Sequence, residues 1–297
     1  MRQPAFLKKG DTIGIVAPAR KVTKEEMQPA IDLLKSWGLK VVTSKNLYKE
    51  EHQFSGTDEQ RTKDLQAFLD DASVKAIISA RGGYGTLRII DKLNFSKFKK
   101  QPKWVVGYSD ITVLHSHIHT LGIETLHATM PINIMKNEEA TESLRKALFG
   151  EKLVYPVAAH PLNKKNRTEI KGEVVGGNLS LLYALCGSIS DIDTKGKILF
   201  IEDLDEYLYH IDRMMLNLKR SGKLKHLKAL VVGGMTDMKD NAIPFGKTAE
   251  EIILDAVKEY KYPVCFGFPA GHIDTNFALY FGKKAKLKIG PQVELSF

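Results

Sequence analysis

The chain has 297 residues, 43% hydrophobic and 27% charged, the proportions of an ordinary globular protein long enough for one or two cores. A formal charge of +9 invites a nucleic-acid reading, but the lysines are spread over residues 97–103, 219–228 and 283–288 without stacking aromatics. They read instead as a solvated basic surface that favours small anionic substrates. No stretch reaches the roughly eighteen apolar residues of a membrane span, and the start lacks the apolar core of a signal peptide; the expectation is a cytoplasmic protein with no membrane or nucleic-acid partner.

Residues 12–17 form a short apolar strand. Thr23 and Glu26 then stand at capping-box spacing ahead of Met27, Ile31, Leu34 and Trp37, and Gly38 stops that helix. A strand over 39–42 follows, then a helix opened by Thr57 and Gln60 that carries Leu65, Phe68 and Leu69. Residues 75–80 make a third strand, followed by a glycine loop and a short helix through Leu87 and Ile90. A strand over 104–106, a helix with Ile111, Leu114, His115 and Ile118, and a strand over 123–127 complete the series. Such alternation predicts an α/β fold with a mostly parallel sheet covered on both faces.

Periodicity fades over 149–168, where Pro156, Pro161 and the run 163–167 fall. A linker over 151–168 is therefore expected between an N-terminal domain, 1–150, and a smaller C-terminal α/β domain, 169–297. In the second part, 169–175, 197–201 and 229–232 read as strands. Residues 207–218 form an amphipathic helix ended by Ser221 and Gly222, and Thr248 caps another that runs to Tyr260. At the end, 277–281 and 285–289 read as a β-hairpin, with a final strand.

Four segments carry chemistry. Gly107-Tyr108-Ser109-Asp110 lies between a strand and a helix, which is the setting of a nucleophile elbow, although Ile111 replaces the second glycine of the usual pattern. The alternative for Ser109 is a plain helix N-cap. Ser79-Ala80-Arg81-Gly82-Gly83-Tyr84-Gly85 follows a strand, where glycines let backbone N–H groups meet an anion. A dinucleotide fingerprint would need a further glycine near Arg88, so the loop suits an oxyanion hole, with the Gly83 N–H partnering that of Asp110. Strand 198–201 ends in Glu202-Asp203, an acid placed to orient a histidine, with Asp203 and Asp205 as rivals. The loop Phe268-Pro269-Ala270-Gly271-His272 supplies that histidine. Ser109, Glu202 and His272 thus occur in the order nucleophile, acid, base. His115, His117 and His119 lack the carboxylate of a metallopeptidase helix and read as structural, so no metal is expected. Cys186 and Cys265 lack metal or disulfide spacing and read as free thiols.

Taken together, the motifs resemble the LD-carboxypeptidase family, the murein tetrapeptide carboxypeptidases grouped with the microcin C self-immunity proteins. The resemblance rests on Gly10 to Ala19, Ala80 to Gly85, Gly107 to Asp110, Gly176-Gly177-Asn178-Leu179, Ile201-Glu202-Asp203 and Ala270-Gly271-His272, in order along nearly the whole chain. It implies a flavodoxin- or amidotransferase-like N-terminal domain, a Ser109–Glu202–His272 triad with Glu202 preferred over Asp203, and a homodimer with its site in an interdomain cleft. No cofactor is implied. The implied activity is serine-type, metal-independent release of the terminal D-alanine from murein tetrapeptides during peptidoglycan recycling. Such an enzyme must anchor a free carboxylate, and Arg81 beside the glycine loop is the candidate, with bracing of the loop through a backbone carbonyl as its alternative role. A microcin-type hydrolase of aminoacyl-nucleotide mimics is the nearest alternative, and a non-catalytic small-ligand binder the alternative of another class.

Overall fold

A computed structural model describes residues 1–158, 160–163, 168–290 and 292–297. The N-terminal part alternates strands and helices: β1 (Thr12–Val16), α1 (Lys24–Ser36), β2 (Lys40–Thr43), α2 (Asp58–Asp70), β3 (Val74–Ser79), α3 (Ser96–Lys100), β4 (Trp104–Gly107), α4 (Thr112–Thr120), β5 (Thr125–His127) and α5 (Glu138–Phe149). The capping boxes are formed as the sequence predicts. The Thr23 N–H donates to Glu26 Oε2 at 2.8 Å while the Glu26 N–H donates back to Thr23 Oγ1 at 3.2 Å, and Thr57 with Gln60 repeats the exchange on α2.

Strands β2-β1-β3-β4-β5 are all parallel, the flavodoxin order. In such sheets ligands bind beyond the carboxyl ends of the strands, which is where the glycine loop after β3 and the serine turn after β4 emerge.

The remainder comprises β6 (Val154–Val157), β7 (Thr168–Asn178), α6 (Leu179–Leu185), β8 (Ile198–Leu204), α7 (Leu208–Arg220), β9 (Ala229–Thr236), α8 (Ala249–Val257), β10 (Val264–Cys265), β11 (Leu279–Phe281), β12 (Lys284–Ile289) and β13 (Val293–Ser296). A second sheet has the order β10-β9-β8-β7-β12-β13-β6. Its β10-β9-β8-β7 section is parallel and the rest antiparallel. Strand β7 serves both sections: residues 168–173 pair with β12 and 174–178 with β8.

Two expectations are corrected. Residues 277–281 and 285–289 do not form a hairpin with each other: β11 pairs antiparallel with β5 at the edge of the first sheet, and the terminal hairpin is β12–β13. Within the expected linker, Val154–Val157 form β6 on β13; residues 159 and 164–167 of that linker lie outside the described residues. The two sheets also share one continuous apolar core. Ile13, Ile78, Trp104 and Val106 of the first and Phe200, Val231, Leu287 and Leu295 of the second belong to it, so each sheet loses apolar cover without the other. Among the described residues no helix is long and apolar enough to cross a membrane.

Candidate active site

The carboxyl ends of the two parallel sections converge on Ser109. Strand β4 ends at Gly107, whose carbonyl accepts the Ala128 N–H at 3.2 Å and the His115 Nε2–H at 2.8 Å. The chain then turns sharply, leaving Ser109 at φ 63°, a left-handed conformation that a non-glycine residue adopts only when its surroundings enforce it. A single 3-10 turn, Ser109–Ile111, leads straight into α4. The turn is clamped from below by Asp110, which is fully buried and accepts the Thr86 N–H at 2.8 Å, tying the elbow to the end of the glycine loop. Burial pushes the Asp110 carboxyl up from its ordinary pKa. The sequence offered the Asp110 N–H as a donor; its side chain proves to be a brace.

Alternation at the tip of β8 separates Glu202 from Asp203, and Asp205 lies just beyond the strand. Asp203 accepts from Asn178 Nδ2 at 2.8 Å and from the Ser180 N–H at 2.9 Å, so it serves the start of α6. Burial first, and then the neighbouring Glu202 charge, push it up to about 7. Asp205 is exposed and pairs with Lys239 at 2.6 Å. Glu202, 0% exposed, faces the histidine loop, where its Oε2 accepts His272 Nδ1–H at 2.6 Å and the His272 backbone N–H at 3.1 Å. Gly271 makes that approach possible: a Cβ there would lie 2.6 Å from Glu202 Cβ, and its φ is +101°.

With Nδ1–H committed to the carboxylate, His272 Nε2 presents a lone pair, and the Ser109 hydroxyl lies 3.1 Å away to donate to it. Burial lowers the imidazole pKa, but the charge and hydrogen bond of Glu202 outweigh it, and the net shift is upward. The Thr236 hydroxyl donates to the His272 carbonyl at 3.1 Å. The Tyr108 ring packs 4.9 Å from the imidazole, and its own hydroxyl, pushed up to about 12 chiefly by burial, accepts from Asn133 Nδ2 at 2.9 Å. Tyr108, Thr236 and the Asp110 carboxylate escaped the sequence reading because each acts through a partner distant in the chain.

The glycine loop borders the serine. The space of an absent Gly82 Cβ lies 2.8 Å from Ser109 Cβ and 3.4 Å from the Asp110 nitrogen, so Gly82 is the glycine in contact with the serine. At Gly83 the corresponding space is filled by the Arg20 side chain, 2.5 Å from its Cδ. Arg81 is half-buried and has no side-chain hydrogen bond or ion pair among the described residues. The histidines of α4 have protein partners: His115 holds Gly107, His117 Nδ1 lies 2.9 Å from the Ser190 hydroxyl, and His119 Nε2 is 2.6 Å from Glu173. Both cysteines are free thiols.

Residues 13–128 match the LD-carboxypeptidase N-terminal domain, and residues 171–287 match the LD-carboxypeptidase C-terminal domain. The chain belongs to the LD-carboxypeptidase family. Among relatives in this family, a probable murein peptide carboxypeptidase of Bacillus subtilis is 37% identical over 294 residues, which cover 96% of this chain and 91% of that protein. The murein tetrapeptide carboxypeptidase of Pseudomonas aeruginosa is 26% identical over 93% of this chain and 92% of its own length. The crystal structure of muramoyltetrapeptide carboxypeptidase from Oxalobacter formigenes superposes with a TM-score of 0.85 at 29% identity, covering 96% of this chain and 98% of that one. A microcin C7 self-immunity protein bound to aspartyl sulfamoyl adenosine shares the fold, with a TM-score of 0.84 at 23% identity and coverage of 99% and 98%.

Proposed function

We propose that this carboxypeptidase is a serine enzyme that hydrolyses the bond to the terminal D-alanine of murein tetrapeptides, using Ser109, His272 and Glu202. The observation that carries the proposal is the unbroken line Ser109 Oγ–His272 Nε2 at 3.1 Å and His272 Nδ1–Glu202 Oε2 at 2.6 Å, assembled where two sheets meet. His272 takes the Ser109 proton as Oγ attacks the scissile carbonyl. Glu202 holds the tautomer and stabilises the imidazolium. The N–H groups of Gly83 and Asp110 receive the oxyanion, a reading supported by the placement of Asp110 in the first turn of a helical segment, where N–H groups lack helical acceptors. His272 then returns the proton to the departing D-alanine amine, and water releases the acyl-enzyme by the same route in reverse.

The substrate's free carboxylate needs a cation, and the guanidinium of Arg81 beside the loop, which has no side-chain partner among the described residues, fits that role. The murein reading is favoured over the aminoacyl-nucleotide one by the 37% identity to a probable murein peptide carboxypeptidase along almost the whole chain. A homodimer working in cytoplasmic peptidoglycan recycling belongs to the same proposal.

The test is mass-spectrometric detection of D-alanine released from purified tetrapeptide, with wild type, Ser109→Ala and a chelator control. Release that survives the chelator and disappears in Ser109→Ala is expected. Chelator-sensitive release would overturn the serine mechanism. Absence of release, with cleavage of an acyl sulfamoyl adenylate instead, would move the protein to the microcin-type reading.

A further inference from the structure

Beneath the triad lies a second buried pair, His127 and Asn276, 0% and 1% exposed, with their side chains 3.2 Å apart (His127 Nε2 to Asn276 Oδ1). Asn276 Oδ1 also accepts the Gly271 backbone N–H at 2.8 Å. An atom that accepts from a backbone N–H is the amide oxygen and carries no hydrogen, so the proton between the two side chains belongs to the histidine. His127 is therefore the Nε2–H tautomer. Burial holds its pKa down to about 3, so the ring stays neutral and its donor stays in place across the working pH range.

The position of His127 gives this bond its meaning. Its residue pairs in register with Gly107 on β4, two residues before Ser109, and with Leu279 on β11, three residues after Asn276. The ring is boxed in by Phe200 at 5.2 Å, Phe281 at 5.4 Å and Tyr108 at 5.9 Å between centroids, which fixes its rotamer. On its own side the histidine loop is held by Glu202 and Thr236, both from the second sheet. The hydrogen bond from His127 to Asn276 ties the peptide of Gly271, immediately before His272, to the strand beside the nucleophile.

We propose that His127 and Asn276 are positioning residues that set the reach of His272 to Ser109 across the two sheets. This rests on the serine-peptidase reading above and adds to it a pair outside the triad. A displacement of about 1 Å between reacting groups costs up to ~100-fold in rate, so the pair's contribution should be read in turnover rather than in affinity.

The experiment compares wild type, His127→Phe and His127→Gln. Phenylalanine keeps the ring in its aromatic box and removes the donor; glutamine keeps a donor. For folded His127→Phe the expectation is a ~10- to 100-fold fall in kcat, with KM changed little and an equal fall in the rate at which a fluorophosphonate labels Ser109. His127→Gln should recover most of both rates. A folded His127→Phe enzyme labelled at the wild-type rate would overturn the proposal, and so would a loss that His127→Gln leaves unrepaired.

Nitrogen-15 NMR of the wild type provides an arm that needs neither a substrate nor a variant. His127 should be a neutral Nε2–H tautomer unchanged from about pH 5 to 9, and an Nδ1–H tautomer or a titration in that range would sink the idea even if the variants fail to fold. Failure of the functional reading looks different: wild-type protein would refuse the probe while the His127 signal stayed as described.

Discussion

On the first sheet, Ser109 is held by the turn it sits in. Its φ of 63°, the Gly107 carbonyl that accepts from the Ala128 N–H and the His115 ring, and the buried Asp110 clasp fix the hydroxyl at the tip of β4. On the second sheet, Glu202 leaves an ordinary strand and His272 an irregular loop, and both are located by side-chain hydrogen bonds. The proposed nucleophile is thus built by local strain and the proposed acid–base pair by a long-range network. A change in the first region should remove chemistry outright, whereas changes in the second should grade it and alter its pH dependence.

Ser109→Ala tests the first half of that contrast and carries the largest expected effect: D-alanine release should fall by ~10⁴-fold or more, followed by mass spectrometry. Glu202→Gln comes next. It should lower kcat by up to ~10⁴-fold, as when the acid of a serine triad is neutralised. It should also shift the acid limb of the kcat/KM profile. In the proposed mechanism His272 works as a neutral base and Glu202 raises its pKa, so removing that charge lets the base deprotonate at lower pH, and the limb should move down the pH scale.

Gly271→Ala would push a methyl group into Glu202 and strain the loop at φ +101°. A loss of ~100-fold in kcat is expected from displacing the base, with a lower melting temperature in the same sample. Arg81→Ala should give the smallest change, a rise in KM of ~10-fold with kcat nearly kept, because it removes one charged contact to the substrate carboxylate. If Arg81→Ala left KM unchanged, Arg20, which runs past Gly83, would be the guanidinium to replace next.

What could be read from the chain alone follows the same division. The elbow, the glycine loop and the capping boxes at Thr23, Thr57 and Thr248 are local, and each is written within a few consecutive residues. Tertiary pairing was less legible. Gly282-Lys283 between two apolar runs imitates a hairpin turn. The burial patterns tell β11 and β12 apart, since Leu279, Tyr280 and Phe281 are all buried, whereas β12 alternates. A strand covered on both faces belongs where both faces are packed, and the Tyr280 ring accordingly meets Phe6 edge-on and packs at a tilt against Trp104 of the first part. Strand β6 was obscured by Pro156, which its edge position tolerates. The His127–Asn276 bond spans 149 positions, and no local pattern announces it. Choosing Glu202 over Asp203 needed the family resemblance, because adjacent acids at a strand tip differ only in the face they meet.

The crossing of β11 onto β5 also bears on how the chain is made. During synthesis the first sheet and its serine emerge early, but its outer edge stays open until residue 281 is released, and the histidine arrives only nine residues before that. Growing chains therefore carry the Ser109 turn before its proposed base, and the proposed triad is completed in the same late step that covers the β5 edge with β11.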